Sequence, residues 1–139
     1  MATLPESARA LIESGRLAHC VTINADGSPQ VSAVWVGIEG DELVMAHLGE
    51  HLKVRNLRRD PRIVLSFESD ERNPIGMQHY LVVHGHARVT EGGAPELLRR
   101  LAPTFVGPGI DFPLPPNAPP GYVVRITVDR VGGSGPWAG

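Results

Sequence analysis

Hydrophobic and polar residues alternate over six stretches of the chain, which is the period of a β-strand with one buried face. The segment Asn24 to Pro29 is dense in turn-forming residues and predicts a hairpin between the first two stretches. Glu39-Gly40-Asp41 predicts the turn into the third. The six predicted strands are 17–23, 30–38, 43–47, 62–68, 78–89 and 122–131.

Three further segments carry helix signals. Thr3 to Glu6 matches a capping box and Gly15 is a C-terminal stop, so a helix is predicted over 4–14. A second helix is predicted over 50–59, where Asp60-Pro61 ends it, and a third over 94–101. The pattern predicts a β-dominated α+β fold, most economically a six-stranded antiparallel β-barrel, closed or split, with short flanking helices.

Length and charge restrict the class of protein. The chain of 139 residues is expected to form a single domain, 1–139. A net charge of −2 gives no overall attraction to nucleic acid or to acidic membranes. The single cysteine, Cys20, has no intrachain partner, which favours a reducing compartment, and no apolar run is long enough to span a membrane. We therefore expect a cytoplasmic protein that binds neither nucleic acid nor membrane.

Proline and glycine are concentrated near the C-terminus. Residues 103–120 contain seven of the thirteen prolines, which predicts a long loop that covers a site or packs on a partner. Residues 132–139 contain four glycines and one large aromatic residue, Trp137, and predict a flexible tail.

Five of the thirteen lysine and arginine residues lie between Lys53 and Arg62, against one acid. Lys53 falls in the first turns of a helix that directly follows a strand, where free N–H groups and the helix dipole favour an anion such as phosphate. On a helical wheel Lys53 borders the apolar face, whereas Arg55 and Arg59 share a more exposed one. A solvated charged face without a ligand is the alternative reading of this run.

The other candidate residues give weaker signals. His84 and His86 share a strand face, but no further ligands lie nearby, so no metal site is predicted. His47 and His51 flank a strand end and a helix start, where they either contact an anion or lie on the surface. Trp35 is either core or one wall of a flat pocket. No nucleophile or acid–base motif is present, so no catalytic side chain is predicted and the chemistry is expected to come from a cofactor.

Four segments, 27–36, 51–62, 80–87 and 135–137, resemble the pyridoxamine 5'-phosphate oxidase family, and most of all its branch that uses the deazaflavin coenzyme F420. The resemblance implies an FMN-binding type of split barrel and a homodimer with two cofactor sites at its interface. It assigns Lys53 to the cofactor phosphate, His51 to the preceding position and Tyr80 to the site of the other subunit. The remaining implied cofactor-binding residues are Ser32, Ala33, Val34, Trp35, Ala46, His47, Leu48, Arg55 and Asn56.

Two departures narrow the expected activity. The vitamin B6 oxidases of the family have arginines where this chain has Ser32 and Leu52, so two phosphate clamps are missing here. The resemblance therefore implies a reductase that passes a hydride from reduced F420 to a small conjugated organic substrate. The alternatives are an FMN-binding reductase or oxidase of the same fold, and a non-catalytic protein that binds a cofactor, or haem through His84 or His86.

Overall fold

The computed structural model describes residues 2–138, which form ten elements. The strands are β1 (Ala18–Ile23), β2 (Pro29–Val34), β3 (Gly37–Glu39), β4 (Glu42–His47), β5 (Arg62–Arg72), β6 (Gln78–Glu91) and β7 (Tyr122–Ser134). The helices are α1 (Glu6–Glu13), α2 (Leu52–Arg59) and α3 (Ala94–Phe105). All strands belong to one antiparallel sheet in the order β2-β1-β5-β6-β7-β4-β3. The predicted β-dominated α+β class is confirmed.

The predicted strand 30–38 is two strands, so the sheet has seven strands rather than six. Trp35 and Val36 separate β2 from β3, which lie at opposite ends of the sheet. The sheet curls round until its two ends face each other. The alternation of side chains continues through the break, which is why the pattern did not show it. Gly37 allows the close packing that follows, since a Cβ there would lie 2.7 Å from a methyl group of Leu101.

The inner face of the sheet forms the main core. Its largest fully buried side chains include Leu43, Met45, Leu65, Phe67 and Leu81, which come from three strands. Burial of each such side chain contributes about 1.5 to 3 kcal/mol. A smaller cluster packs α3 on the outer side of β4 and β7; its buried members are Val44, Leu97, Leu101 and Val123. The two clusters fix β4 from both sides, and the C-terminal end of β4 is where the candidate site begins.

Both ends of the chain differ from the predictions. Helix α1 follows Pro5 as N-cap with no side-chain cap bond, so the predicted capping box at Thr3 is wrong. The predicted flexible tail 132–139 is also wrong over its described part, because β7 runs through Ser134 and Trp137 is buried. The indole N–H of Trp137 donates to the Tyr80 carbonyl at 3.0 Å. Gly133 permits this approach, since a Cβ would lie 2.3 Å from that same carbonyl oxygen. Gly139 lies outside the described residues.

The proline-rich segment begins later than predicted, because α3 continues through Pro103 to Phe105. Residues 106–121 then contain no helix or strand, in agreement with the predicted loop. Within 2–138, no helix combines the length and apolar character needed to cross a membrane.

Candidate functional site

Lys53 is the second residue of α2, and its half-buried side chain reaches across to β2. Its ammonium nitrogen lies 3.3 Å from the Ser32 hydroxyl oxygen and donates to it. Val54 and Leu57 anchor the helix by burying the adjacent face in the barrel. The first turn of α2 starts directly after His51, so its unpaired N–H groups lie at the same end as the ammonium group. Two residues that the resemblance selected, 21 positions apart, are therefore in contact.

His47 ends β4 and lies deep beside this lysine, with only 7% of its surface exposed. The rings of His47 and His51 are nearly perpendicular, with centroids 5.9 Å apart. Burial, together with the positive charges of Lys53 and His51, lowers the pKa of His47 to about 3. The imidazole is therefore neutral at physiological pH. Within the described residues its Nε2 atom has no hydrogen-bond partner, which is uncommon for a buried nitrogen and leaves this atom available to a polar ligand.

Cys20 lies on the same inner side of the barrel. Burial raises the pKa of its thiol to about 11, and the nearby charge of Lys53 offsets part of that rise. The thiol is therefore protonated and is a small core residue rather than a nucleophile.

Three aromatic side chains pack together around Trp35, which lies between β2 and β3. The ring of Trp35 stacks on Phe105 with centroids 5.2 Å apart and planes 8° from parallel. Phe112, from the proline-rich loop, meets Trp35 edge-on at 5.5 Å. Ala46 and Trp35 both pack against the cluster between α3 and the sheet. Trp35 is thus half-buried, with one ring face covered by α3 and its edge covered by the loop.

The arginines of α2 have separate roles. Arg58 pairs with Glu50 at 2.7 Å and lies 5.0 Å above the Tyr122 ring, so it holds the segments around the helix together. Arg59 donates to the Ile23 carbonyl and also to the Asn56 side chain. Arg55 is exposed and, in the part of the chain described, has no salt bridge. Of the three, Arg55 is the cation that is open to a ligand.

Asn56 is the implied cofactor residue that the structure assigns to another task. It is fully buried, and its amide nitrogen donates to Thr22 Oγ1 at 3.1 Å and to Asn24 Oδ1 at 2.9 Å. Its side chain therefore fixes α2 against the β1–β2 hairpin. The helical pattern indicates this role, because Asn56 is a polar residue between Val54 and Leu57 on the buried face.

The other residues that the resemblance implies for cofactor binding have different environments in the structure. Val34 is buried and Ala33 is exposed on the opposite face of β2. Leu48 follows His47 and lines a cavity of about 270 Å³ with Pro119 and Gly121. Tyr80 pairs with Glu68 and Ser134 far along β6, so within one chain it is not brought to Lys53.

Sequence reasoning missed Phe105 and Phe112, and it missed what surrounds His84 and His86. The only sequence signal for the two phenylalanines is that this residue type is rare, since the chain has three. His84 lies 3.4 Å from the Arg130 guanidinium at a cavity of about 360 Å³ on the outer face of the sheet. Burial and that charge lower the pKa of His84. His86 instead contacts Asp129 at 3.0 Å, and no cluster of three metal-ligating side chains occurs between residues 2 and 138.

The donor set suits a planar cofactor that carries a phosphate. It offers one ammonium group, one hydroxyl and one unpaired imidazole nitrogen. Strand β2 pairs only with β1 in the described sheet, so one backbone edge next to Ser32 is open to the polar edge of a ring system.

Comparison with known proteins identifies the family. The family model described as "Pyridoxamine 5'-phosphate oxidase" matches residues 4–134, and the chain belongs to this family of flavin and deazaflavin oxidoreductases. No curated protein sequence matches the chain.

Three solved structures show the same split-barrel fold. An F420 reductase is 26% identical with a TM-score of 0.74, and the match covers 93% of this chain and 98% of that one. A conserved hypothetical protein from Mycobacterium tuberculosis is 23% identical with a TM-score of 0.69, over 94% and 86% of the two chains. A heme binding protein from Mycobacterium smegmatis is 25% identical with a TM-score of 0.65, over 94% of this chain and 53% of that one.

Proposed function

We propose that this protein is an oxidoreductase that uses reduced coenzyme F420 to transfer a hydride to a small conjugated organic substrate. The observation that carries the proposal is that a half-buried cation, Lys53, lies beside Ser32 and the neutral imidazole of His47. Family membership and the likeness to an F420 reductase support it.

The charge of the site favours F420 over FMN. The phosphate of FMN is a monoester with a charge of about −1.5 to −2 at neutral pH, whereas the phosphodiester of F420 carries a single charge. Lys53 balances one negative charge, and Ser32 and Leu52 provide no guanidinium for a second. His47 adds no charge because its pKa is about 3. A monoester would therefore be left partly unbalanced in a half-buried site.

The side chains act by binding and orientation. In the proposed complex Lys53 holds the phosphate, and Ser32 and His47 offer polar contacts close to it. Trp35 and the residues packed on it exclude water from the ring face. Reduced F420, when bound, supplies the hydride from its ring. The hydride leaves a negative charge on the substrate, which takes up a proton from water, so no side chain of the site has to supply one. Correct placement of two reactants can lower the barrier by about 7 to 11 kcal/mol.

We further propose that two copies associate with the cofactor sites at their interface, as the family resemblance implies. Tyr80 would then reach the site of the other subunit, and Arg55 would meet the acidic tail of F420. The remaining proposed contacts are Ala33, Val34, Ala46, Leu48 and His51. Asn56 is left out of this set because its side chain is buried and fully bonded.

Equilibrium binding tests this function. Purified protein titrated with F420 and with FMN should bind F420 at least tenfold more tightly, and F420 should remain bound in both redox states. Tighter binding of FMN would replace the proposal with the FMN-dependent alternative. Oxidation of reduced F420 by a panel of quinones and nitroaromatics, followed by the return of deazaflavin absorbance, then tests for turnover.

Haem binding is a second candidate, favoured by the likeness to the heme binding protein and by the position of the His84 imidazole beside Arg130 at the cavity on the outer face of the sheet. Titration with haemin should then produce a Soret band that His84→Ala removes. A spectrum equal to that of free haemin would exclude this candidate.

A further inference from the structure

A row of side chains crosses four strands on the outer face of the sheet. The strand registers pair Val21 with Val64, Val64 with His84, and His84 with Arg130. Adjacent strands lie about 4.8 Å apart, so the row is roughly 14 Å long. All four residues line the cavity of about 360 Å³ on this face, together with the half-buried Ile23. The cavity is therefore apolar at one end and cationic at the other.

A β-bulge in β7 makes the cationic end. The register places Arg130 opposite His84 and Val128 opposite the next residue, Gly85, so Asp129 has no partner on β6. Strict alternation from the buried Val128 would turn Arg130 toward the core. The extra residue instead leaves both Asp129 and Arg130 exposed at the cavity. A Cβ on Gly85 would lie 2.5 Å from a backbone carbonyl oxygen of β7, so glycine allows the strands to meet at the bulge.

Arg130 is the charge of the cavity lining that has no opposite partner within residues 2–138. The other lining arginine, Arg62, is paired with Asp60 at 2.7 Å. The one lining acid, Asp129, has its two carboxylate oxygens 3.0 and 3.1 Å from Nδ1 of His86. The donors of the Arg130 guanidinium therefore remain available to an anion.

The other polar groups around the cavity are also donors. The Arg130 guanidinium lies 3.4 Å from Nδ1 of His84, and because a guanidinium can only donate, Nδ1 accepts and the ring proton is on Nε2. His84 therefore contributes an N–H donor and no negative charge. Arg59 donates to the backbone carbonyl of Ile23, which lines the apolar end. Asp129 is the single acid among these groups, and it already contacts a histidine.

We propose that this cavity binds a small organic carboxylate whose apolar body is no longer than the row of side chains. The carboxylate group contacts Arg130 and His84, and the body lies on Val21, Ile23 and Val64. Small-ligand pockets have volumes from about 300 Å³ and combine apolar walls with a few polar groups, as this cavity does. The site shares its cavity with the haem candidate, but it depends on the charge of Arg130 and not on metal ligation. It is also independent of F420.

Equilibrium binding to the protein without any cofactor tests the site. Biphenyl-4-carboxylate is the probe and biphenyl-4-carboxamide is its uncharged match; each is titrated by calorimetry. A hydrogen bond from a guanidinium to a carboxylate is stronger than one to a neutral amide, so the carboxylate should bind about tenfold more tightly or better. Equal affinities of the two compounds, or no binding of the carboxylate at about 1 mM, would overturn the proposal.

Substitutions locate the bound carboxylate. Arg130→Gln should weaken its binding about tenfold or more, whereas Arg99→Gln, the same change at an exposed position on α3, should leave it within about twofold. Asp129→Asn removes the lining acid and should not weaken binding. Loss of binding in Asp129→Asn but not in Arg130→Gln would show that the cavity takes a cation, against the proposal. All three side chains are exposed, so circular dichroism should show an unchanged fold.

Nuclear magnetic resonance separates this site from the Lys53 site. In assigned ¹H–¹⁵N spectra, the carboxylate should shift the backbone amides of Val64, His84 and Gly85. It should leave those of His47 and Lys53 in place. Shifts confined to α2 and the end of β4 would place the carboxylate at the proposed cofactor site and refute a separate cavity. Failure of the protein to bind F420 would refute the proposed function and leave this result standing.

Discussion

The ammonium nitrogen of Lys53 lies 3.3 Å from the hydroxyl oxygen of Ser32, and this contact joins α2 to the edge strand β2. An ammonium group has three donors, and the serine takes one of them. The other two remain for the oxygens of a ligand. The contact therefore holds the lysine in a binding position before a ligand arrives, which reduces the ordering cost of binding.

Replacement of Lys53 by methionine keeps the length of the side chain and removes its charge. A hydrogen bond to a charged group contributes about 1.5 to 3 kcal/mol, so the dissociation constant for F420 should rise by roughly 10- to 150-fold. Fluorescence titration measures it. Arg62→Met is the control, because Arg62 is exposed and already paired with Asp60 at 2.7 Å. Equal losses in the two variants would show that net charge, and not the position of Lys53, determines binding.

His47 makes stability depend on pH in a defined window. Its pKa is about 3 in the folded protein against an ordinary value of 6.5, so the unfolded chain takes up the proton first. The contribution is fully present above pH 6.5 and is lost as the pH falls from there toward 3. At pH 5 the loss should be about 2 kcal/mol.

Denaturant unfolding at pH 7.5 and pH 5 measures this effect. The loss of unfolding free energy between the two should be about 2 kcal/mol smaller in His47→Gln, whose side chain does not titrate. His19→Gln, at an exposed position on β1, should show the loss of the parent protein. If His47→Gln kept the full loss, the buried imidazole would not be its source.

Replacement of Asn56 should lower the stability of the fold. Asn56→Leu leaves the buried Thr22 and the partly buried Asn24 without their donor, so the free energy of unfolding should fall by about 2 to 3 kcal/mol. Arg55→Leu, one residue earlier on the exposed face, should change it by less than about 0.5 kcal/mol. Urea unfolding compares the two, and a stable Asn56→Leu protein with lost cofactor affinity would reverse the assignment.

Trp137 should stabilise the fold through both its volume and its indole N–H. Trp137→Phe removes the bond to the Tyr80 carbonyl and should cost about 1 to 2 kcal/mol. Trp137→Ala also leaves a cavity in the core and should cost about 3 to 5 kcal/mol. Thermal and urea unfolding of the two variants measure these losses. Two small and equal losses would mean that the tail contributes little.

Local patterns were sufficient to predict most of the elements. The alternation along 17–23 and 62–68, and Asp60-Pro61 as the end of α2, depend on neighbouring residues alone. The break at Trp35-Val36 was missed because it leaves the alternation intact and is determined by contacts with α3. The glycines at 132–135 suggested flexibility, whereas Gly133 serves the close approach of two strands.

The orientation of the side chains on α2 could be predicted, because it depends on the geometry of a single helix. The wheel position of Lys53 correctly placed its side chain toward the barrel and that of Arg55 toward solvent. It could not show which arginines were already engaged, because the partners of Arg58 and Arg59 lie on other elements. The stacking of Phe105 and Phe112 on Trp35 also depends on long-range packing, which a single sequence does not reveal.

The two ends of the sheet, β2 and β3, are neighbours in the chain, and only Trp35 and Val36 stand between them. The Cα atoms of Val34 and Gly37 can therefore be at most about 11 Å apart. At this point the barrel is closed by covalent bonds in place of hydrogen bonds. This two-residue link limits how far the ends of β2 and β3 can separate there, whatever ligand the barrel holds.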